Sequence, residues 1–273
     1  MRQLVRSAQA DGKSVGVVMT MGALHAGHLS LVEACQWRCD VCVVTIFVNP
    51  TQFLPSEDLD RYPRRMESDL EALAAMGVEY VFTPSDHEMY RSDHTTFIHP
   101  PRVAEAWEGA FRPGHFQGVC TIVLKLLQCI PGDWAFFGEK DYQQYLVIRK
   151  MAEELNLETE IVSCPIVRDG DGMALSSRNE FLTKKDRQRA LAIPQSLKTA
   201  VELYQLGERR TDVLVDAMRD ILGESGIDQP EYVVVVDADD LRVKPVIESP
   251  SIALVAARIG STRLIDNGRL DPS

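Results

Sequence analysis

No apolar run in this 273-residue chain approaches the ~20 residues that a membrane-spanning helix needs. Positive charge is also short: 29 Lys and Arg stand against 40 Asp and Glu, a formal net charge of −11. Phosphate backbones select for basic surfaces, so general nucleic-acid binding is excluded, although a locally basic pocket for one nucleotide is not. Paired Cys-x-x-Cys sets are missing. Cys35, Cys39, Cys42, Cys120, Cys129 and Cys164 are scattered, with Cys39-x-x-Cys42 a lone case. The expectation is six reduced thiols in a cytoplasmic protein. Met1–Arg6 holds no long apolar segment of the kind a secretory signal carries, and no internal repeat or low-complexity tract is visible. What is present is an ordinary globular composition, 45% hydrophobic and 25% charged, at a length that suits a large domain with a smaller companion.

The most informative segment is Met21-Gly22-Ala23-Leu24-His25-Ala26-Gly27-His28. Val15 to Met19 before it is a β-branched apolar run, expected of a parallel strand with both faces covered. Leu29, Leu31, Val32, Ala34 and Cys35 after it roughly follow one apolar helix face. Gly22 permits a sharp turn and Gly27 a close approach of ligand to backbone. A helix N-terminus offers free N–H groups and partial positive charge, to which two imidazoles add donors, so a phosphate site is one reading. Two ordinary turn histidines, or a pair of metal ligands one helical turn apart, are the others.

Further along, strand-like and helix-like segments alternate. Val41–Val48 reads as a second strand, Pro63–Met76 as a helix ended by Gly77, and Glu79–Phe82 as a short strand. Gly118–Ile130 reads as a helix, Asp133–Phe137 as a strand, Asp141–Leu155 as a helix and Glu158–Val167 as extended. Such alternation implies a parallel sheet with helices on both faces and ligands at the carboxyl ends of the strands. The texture changes near residue 167. Helical stretches near Thr183–Leu206 and Thr211–Leu222 precede strand-like runs at Tyr232–Val236, Ile252–Ala256 and Thr262–Ile265, which suggests a small α+β domain. The expected division is 1–166 and 167–273.

Two apparent motifs fail. Gly12-Lys13-Ser14 resembles the end of a P-loop, but it precedes its strand and Ser7 occupies the first glycine position. Asp169, Asp171 and Glu180 resemble a calcium loop, but Met173 and Ala174 occupy a ligand position and the turn glycine. Other segments sit at predicted strand ends. Asn49 and Gln52 can orient a hydroxyl or carboxylate, or merely shape a turn. Arg112–Gly118 can form a lid, an anion contact, or a helix start. In Gly138-Glu139-Lys140-Asp141, Lys140 can neutralise phosphate charge and Asp141 can hold Mg²⁺, unless the run is a solvated charged face. Of Gln143 and Gln144, one is expected to face the site and the other solvent. Leu175-Ser176-Ser177-Arg178 supplies two hydroxyls and a guanidinium able to close over a triphosphate, or else a helix cap with a surface arginine.

Taken together these segments closely resemble the pantoate–β-alanine ligase family. The tracts TMGALHAGH, TIFVNPTQF, DLDRYPR, RPGHFQGV, FGEKDYQQ, DGMALSSRN and TRLIDN carry the resemblance in order and spacing over nearly the whole chain. It implies an HxGH nucleotidylyltransferase-type enzyme with a Rossmann-like doubly wound parallel sheet and a smaller C-terminal α+β lid domain. The implied reaction joins pantoate to β-alanine with ATP and Mg²⁺, through a bound pantoyl adenylate, releasing AMP and pyrophosphate. By position, the resemblance implies that Met21, Gly22, Ala23, Leu24, His25, Ala26, Gly27 and His28 contact ATP, with His28 as proton donor and His25 beside it. Gly138, Glu139, Lys140 and Asp141 would line the same site, with Lys140 on the phosphates, and Val167, Leu175, Ser176, Ser177 and Arg178 would complete it. Gln52 and Gln144 would bind pantoate, β-alanine would lie near Gln52, and Asn49 would support the cluster. A homodimer is implied too.

The chain departs from the family where Met19 replaces a usual proline before Thr20, and where Arg91 follows Tyr90. Neither change removes a chemical group. Three rival readings are another HxGH adenylyltransferase with a different acceptor, a silent nucleotide-binding regulator, and a metal hydrolase. The second should lack His28, Lys140 or Arg178, and the third needs a further ligand that His87, His94, His99 and His115 do not supply at a suitable spacing.

Overall fold

The β-branched runs fold as central strands with both faces covered. The computed structural model describes residues 1–55, 57 and 59–271. Helix α1 (Arg2–Ala10), β1 (Val15–Thr20), α2 (Ala26–Arg38), β2 (Val41–Ile46), α3 (Met66–Ala75) and β3 (Tyr80–Phe82) come first. After them come α4 (Asp86–Met89), α5 (Glu108–Phe111), α6 (His115–Cys129), β4 (Trp134–Gly138), α7 (Tyr142–Glu154) and β5 (Glu160–Cys164). The five strands form a parallel sheet in the order β3-β2-β1-β4-β5. On one side β1 pairs with β2 from Val15↔Val41 to Thr20↔Ile46, and on the other with β4 from Gly16↔Trp134 to Val18↔Phe136. Val17, Val18, Val43 and Val44 have no exposed surface, as expected for strands covered on both faces.

Chain direction in this sheet positions the site. The chain builds outward from β1 through β2 to β3, then returns to add β4 and β5 on the other flank of β1. Connections leaving β1 and β4 therefore diverge, and a crevice opens beyond their carboxyl ends. Continuing the pairing past Val18↔Phe136, the two strands finish level at Thr20 and Gly138. Helix α2 lies directly on β1 because Gly16 has no side chain. A Cβ there would stand 2.7 Å from Cys39 Sγ and closer still to Cys35 Sγ. The cysteines thus fill the core: all six are free thiols, and every one but the half-buried Cys129 is buried.

Two compact units divide the chain, Met1–Glu139 with Gln143–Pro165, and Lys140–Tyr142 with the residues from Ile166 onward. The second contains α8 (Lys184–Ala190), α9 (Ala192–Gln205), α10 (Thr211–Glu224), β6 (Tyr232–Asp237), β7 (Ser251–Ile259) and β8 (Thr262–Leu270). Its strands form an antiparallel sheet in the order β6-β7-β8. Leu197 and Ala200 of α9 and Leu214, Met218 and Leu222 of α10 pack into one core with Val233, Val235, Ala253 and Val255. The single helix expected over Thr183–Leu206 is two helices, interrupted at Leu191. Pro194 lacks the N–H that would bond back to Ala190, so the chain restarts with proline in its first turn. The strand expected at Thr262–Ile265 runs on to Leu270, and α1 was not anticipated. Among the described residues no helix is long and apolar enough to cross a membrane.

Candidate active site

Beyond β1 the backbone turns through two consecutive residues of positive φ, Gly22 at 80° and Ala23 at 50°. Glycine takes this conformation freely, but for alanine it costs on the order of 1–2 kcal/mol. The turn is held from both sides. Thr20 Oγ1 donates to Thr45 O (2.8 Å) and accepts the Gly22 N–H (3.2 Å). Asp69 on α3, only 3% exposed, accepts the Ala23 N–H at Oδ2 (2.9 Å) and the Leu24 N–H at Oδ1 (2.8 Å). Each such bond contributes about 1.5–3 kcal/mol when the acceptor is charged, enough to outweigh the strain. Sequence reading missed Asp69. The available signal was an acid four residues before Leu73, on the face of α3 that the fold buries.

The same turn sets the histidines. His25 is the N-cap of α2, and its Nδ1 accepts the Gly27 N–H (3.2 Å), while the His25 N–H points back to His28 Nδ1 (3.4 Å). The two rings lie against each other with centroids 4.1 Å apart and planes tilted by 32°. In a neutral ring whose Nδ1 accepts, the proton resides on Nε2. Both rings thus turn Nδ1 toward the backbone at the start of α2, and Nε2 is the atom that would carry the proton of a neutral imidazole there.

A second cluster forms after β2. Asn49 is 1% exposed and all its bonding capacity goes to the scaffold. Its Nδ2 donates to Gln52 Oε1 (3.0 Å) and Gly118 O (3.2 Å), and its Oδ1 accepts from Thr51 (3.0 Å) and Tyr90 (2.8 Å). Gln52 in turn donates through Nε2 to Met21 Sδ (3.3 Å), which brings the two strand-end segments together. Gly118 allows α6 to lie against this turn, since a Cβ would be 2.7 Å from Gln52 Cα and nearer to Thr51 O. Behind Gln52, the Arg112 fork grips Glu57 through Nε (2.6 Å) and Nη2 (2.8 Å). The carbonyl of Gln52 accepts from His115 Nδ1 (2.8 Å), leaving His115 Nε2 to accept from Arg112 Nη1 (3.0 Å). Burial first, and the Arg112 charge second, lower the His115 pKa to about 4. The Arg112–Gly118 segment is thus a clamp behind Gln52, and Arg112 is already paired with a carboxylate rather than held for an anion.

Helix α7 separates the two glutamines. Gln143 is 4% exposed and fully engaged, donating to Val103 O and Ala106 O (2.8 Å each) and accepting from the Glu108 N–H (2.9 Å). It faces protein, not solvent as one of the pair was expected to do, while Gln144 is half-buried.

In the second unit Lys140 and Asp141 end a short 3-10 turn, with Lys140 Nζ 3.7 Å from Asp141 Oδ1. A two-strand bridge between Arg168 and Ala174, with Leu175 N bonded to Val167 O (3.0 Å), delivers the Leu175–Arg178 loop. Ser176 Oγ accepts the Arg178 N–H (3.3 Å) and caps a 3-10 turn over Ser177–Phe181. The calcium-like acids Asp169 and Asp171 are both claimed by Arg187 (2.6 and 2.8 Å). Ser14 of the P-loop-like tract instead bonds Asp40 through Oγ (2.7 Å).

A parallel sheet whose central strand ends in a strained turn, paired imidazoles and a helix N-terminus defines an α/β nucleotide-binding enzyme of the HxGH type. Comparison with known sequences narrows this class. The profile of the pantoate-beta-alanine ligase family matches residues 1–269, and the chain belongs to that family. It is 50% identical over 273 residues to the pantothenate synthetase of Rhodopirellula baltica, covering 99% of this chain and 96% of the relative. To that of Pelotomaculum thermopropionicum it is 44% identical over 269 residues, covering 98% and 95%. The crystal structure of pantothenate synthetase from Thermus thermophilus superposes with a TM-score of 0.92 at 38% identity, covering 98% of both chains. A pantoate-beta-alanine ligase from Francisella tularensis, complexed with beta-gamma ATP and beta-alanine, gives 0.81 at 32% identity, covering 99% and 96%.

Two outcomes follow from this geometry. Asp69→Asn retains one acceptor and sets an amide N–H₂ against a backbone N–H, so kcat should fall about tenfold or more. Steady-state kinetics that stayed within about twofold of the parent would remove Asp69 from the site. His115 is neutral in the folded protein, and an unfolded-state histidine titrates near 6.5. Its contribution to stability is therefore complete above pH 6.5 and is lost as pH falls from there toward about 4. Between pH 7 and pH 5 the loss should be about 2 kcal/mol in urea titrations, and should be absent from His115→Gln. Equal losses in both proteins would contradict the assignment.

Proposed function

We propose that this chain carries out its family's reaction, the ATP-dependent condensation of pantoate with β-alanine through a bound pantoyl adenylate, with release of pyrophosphate and then AMP. The observation that carries the reading is the Asp69-held turn, which sets His25 and His28 at the N-terminus of α2 while Gln52 contacts Met21 beside it. The solved ligase from Francisella tularensis, complexed with beta-gamma ATP and beta-alanine, supports the substrate class.

In the first step a pantoate carboxylate oxygen attacks the α-phosphorus and the bond to pyrophosphate breaks. Charge builds on the transferring phosphoryl and the departing group, where His25, His28, Lys140 and Arg178 act as donors and cations. The backbone and side chains of Met21, Gly22, Ala23, Leu24, Ala26 and Gly27, together with Gly138, Glu139, Val167, Leu175, Ser176 and Ser177, would shape the nucleotide pocket. Gln52 would bind pantoate through Nε2. Its present acceptor is a thioether sulfur, a weak one that an incoming oxygen displaces readily. Gln144 would hold pantoate from α7, and Asn49 would keep the Gln52 amide in register.

The described residues contain no group of three or more metal-ligating side chains. Mg²⁺ binds through one or two carboxylates with substrate phosphates and water. Asp141 is the carboxylate we assign to it. Mg²⁺, when bound, supplies charge neutralisation of the triphosphate. In the second step the β-alanine amine attacks the activated acyl carbon near Gln52 and AMP leaves, so positioning and exclusion of water dominate. The smaller part of the chain, 167–273 in the sequence reading, would act as the lid through its Leu175–Arg178 loop. We also propose a cytoplasmic location, which six free thiols suit, and a homodimer, which a single-chain mass by light scattering would contradict.

AMP release should require both pantoate and β-alanine, whereas pyrophosphate should form with pantoate and ATP alone in a single turnover. His28→Ala and Lys140→Ala should each reduce turnover by about two to three orders of magnitude with the fold intact. Gln52→Ala should raise the KM for pantoate far more than that for ATP. Retained turnover in both the His28 and Lys140 variants would overturn the mechanism, and an equal rise in both KM values would make Gln52 structural.

A further inference from the structure

Strand β8 breaks its own burial pattern at two polar residues. Thr262 and Leu264 are buried with half-buried neighbours between them, as alternation requires, but Asp266 and Asn267 are buried in succession, at 5% and 3% exposure. Apolar side chains would fill these positions at no cost in buried polar groups, so two adjacent polar residues need a reason. Their partners supply one. Asn267 Nδ2 donates to the backbone carbonyl of Lys140 (3.0 Å), across 127 residues of chain. Asp266 takes a two-pronged bond from Arg168, Nη1 to Oδ2 (2.7 Å) and Nη2 to Oδ1 (3.0 Å). Arg168 also donates to Asn267 O (3.2 Å) and Gly172 O (3.1 Å), closing the hairpin that leads into Leu175–Arg178.

We infer that Asp266 and Asn267 are positioning residues for adenylation, fixing the Lys140 backbone and the stem of the Ser176–Arg178 loop to one strand. The inference rests on the reading of Lys140 and Arg178 as phosphate ligands. Lysine reaches its target on a flexible four-carbon stem, so its Cα must be anchored for the ammonium to meet a phosphate oxygen. The Asn267 amide bonds the carbonyl of that residue directly. The Arg168 fork does the same for the loop stem, and both bonds originate from adjacent residues of one strand. A displacement of ~1 Å in such groups costs as much as a hundredfold in rate.

The test separates the two half-reactions in the full-length protein. Adenylation is followed as pantoate-dependent exchange of labelled pyrophosphate into ATP, and aminolysis as reaction of preformed pantoyl adenylate with β-alanine. Asn267→Ala should slow exchange about a hundredfold with aminolysis within about twofold of the parent, and Arg168→Lys should slow exchange about tenfold. Arg168 is about one-third exposed (32%), so its variant tests the inference even if Asn267→Ala folds poorly. Adding Asn267→Ala to Lys140→Ala should cost little further, because the two act through one group. Equal loss of both half-reactions in either variant, or full additivity in the double variant, overturns the inference as a merely structural role. Exchange lost in Lys140→Ala but retained in both positioning variants overturns it alone. Exchange retained in Lys140→Ala overturns the Lys140 reading and the inference with it.

Discussion

Two backbone N–H groups, those of Ala23 and Leu24, end on the carboxyl oxygens of Asp69. The nucleotide end of the candidate site is organised around that pair of bonds. Together with Thr20 on the other side, they hold the turn after β1 in which Ala23 sits at positive φ. With them, His25 becomes the N-cap, the two imidazoles come into contact, and Met21 stands within reach of the Gln52 amide. Strain at Ala23 is local and is offset by a long-range contact, as expected where backbone geometry serves binding.

The neighbouring strands extend the same logic. Asn49 spends its whole side chain on Gln52, Thr51, Tyr90 and Gly118, so the residue that touches substrate in our reading is held by one that does not. His115 and Arg112 hold Gln52 from its carbonyl side. In the second unit, Asn267 and Asp266 do for Lys140 and the hairpin what Asp69 does for the histidine turn. His25, His28, Gln52 and Lys140 are half-buried, and Asn49, Asp69, His115, Asp266 and Asn267, which orient them or their neighbours, are buried and hydrogen-bonded. That division is what electrostatic stabilisation of a charged transition state needs, because the dipoles must be in place before charge develops.

Much of this was legible in the sequence. Val15–Met19 and Val41–Val48 are β-branched runs that point to central strands, and both are found as central strands of the sheet. The ordered tracts from TMGALHAGH to TRLIDN pointed to the family. What escaped were residues whose role arises from distant contacts. Asp69 bonds residues 45 and 46 positions away, and Asn267 reaches back 127. Local periodicity carries no trace of such partners. Nor could it decide between Gln143 and Gln144, because both lie in the first turn of one helix and only the packing of residues 103–108 shows which is buried. The break at Leu191 was visible in principle, through Pro194, but a proline in a first turn reads equally well as a continuing helix.

In the proposed reaction the substrate's own carboxylate attacks the α-phosphorus, with the protein supplying donors, cations and position but no nucleophile. Pantoate labelled with ¹⁸O in its carboxylate tests this directly. After turnover with ATP and β-alanine, mass spectrometry of the products should find one ¹⁸O in AMP and none in pyrophosphate, because the oxygen that bonded to phosphorus leaves with AMP when the amine attacks. AMP without label, or label in pyrophosphate, would contradict the account.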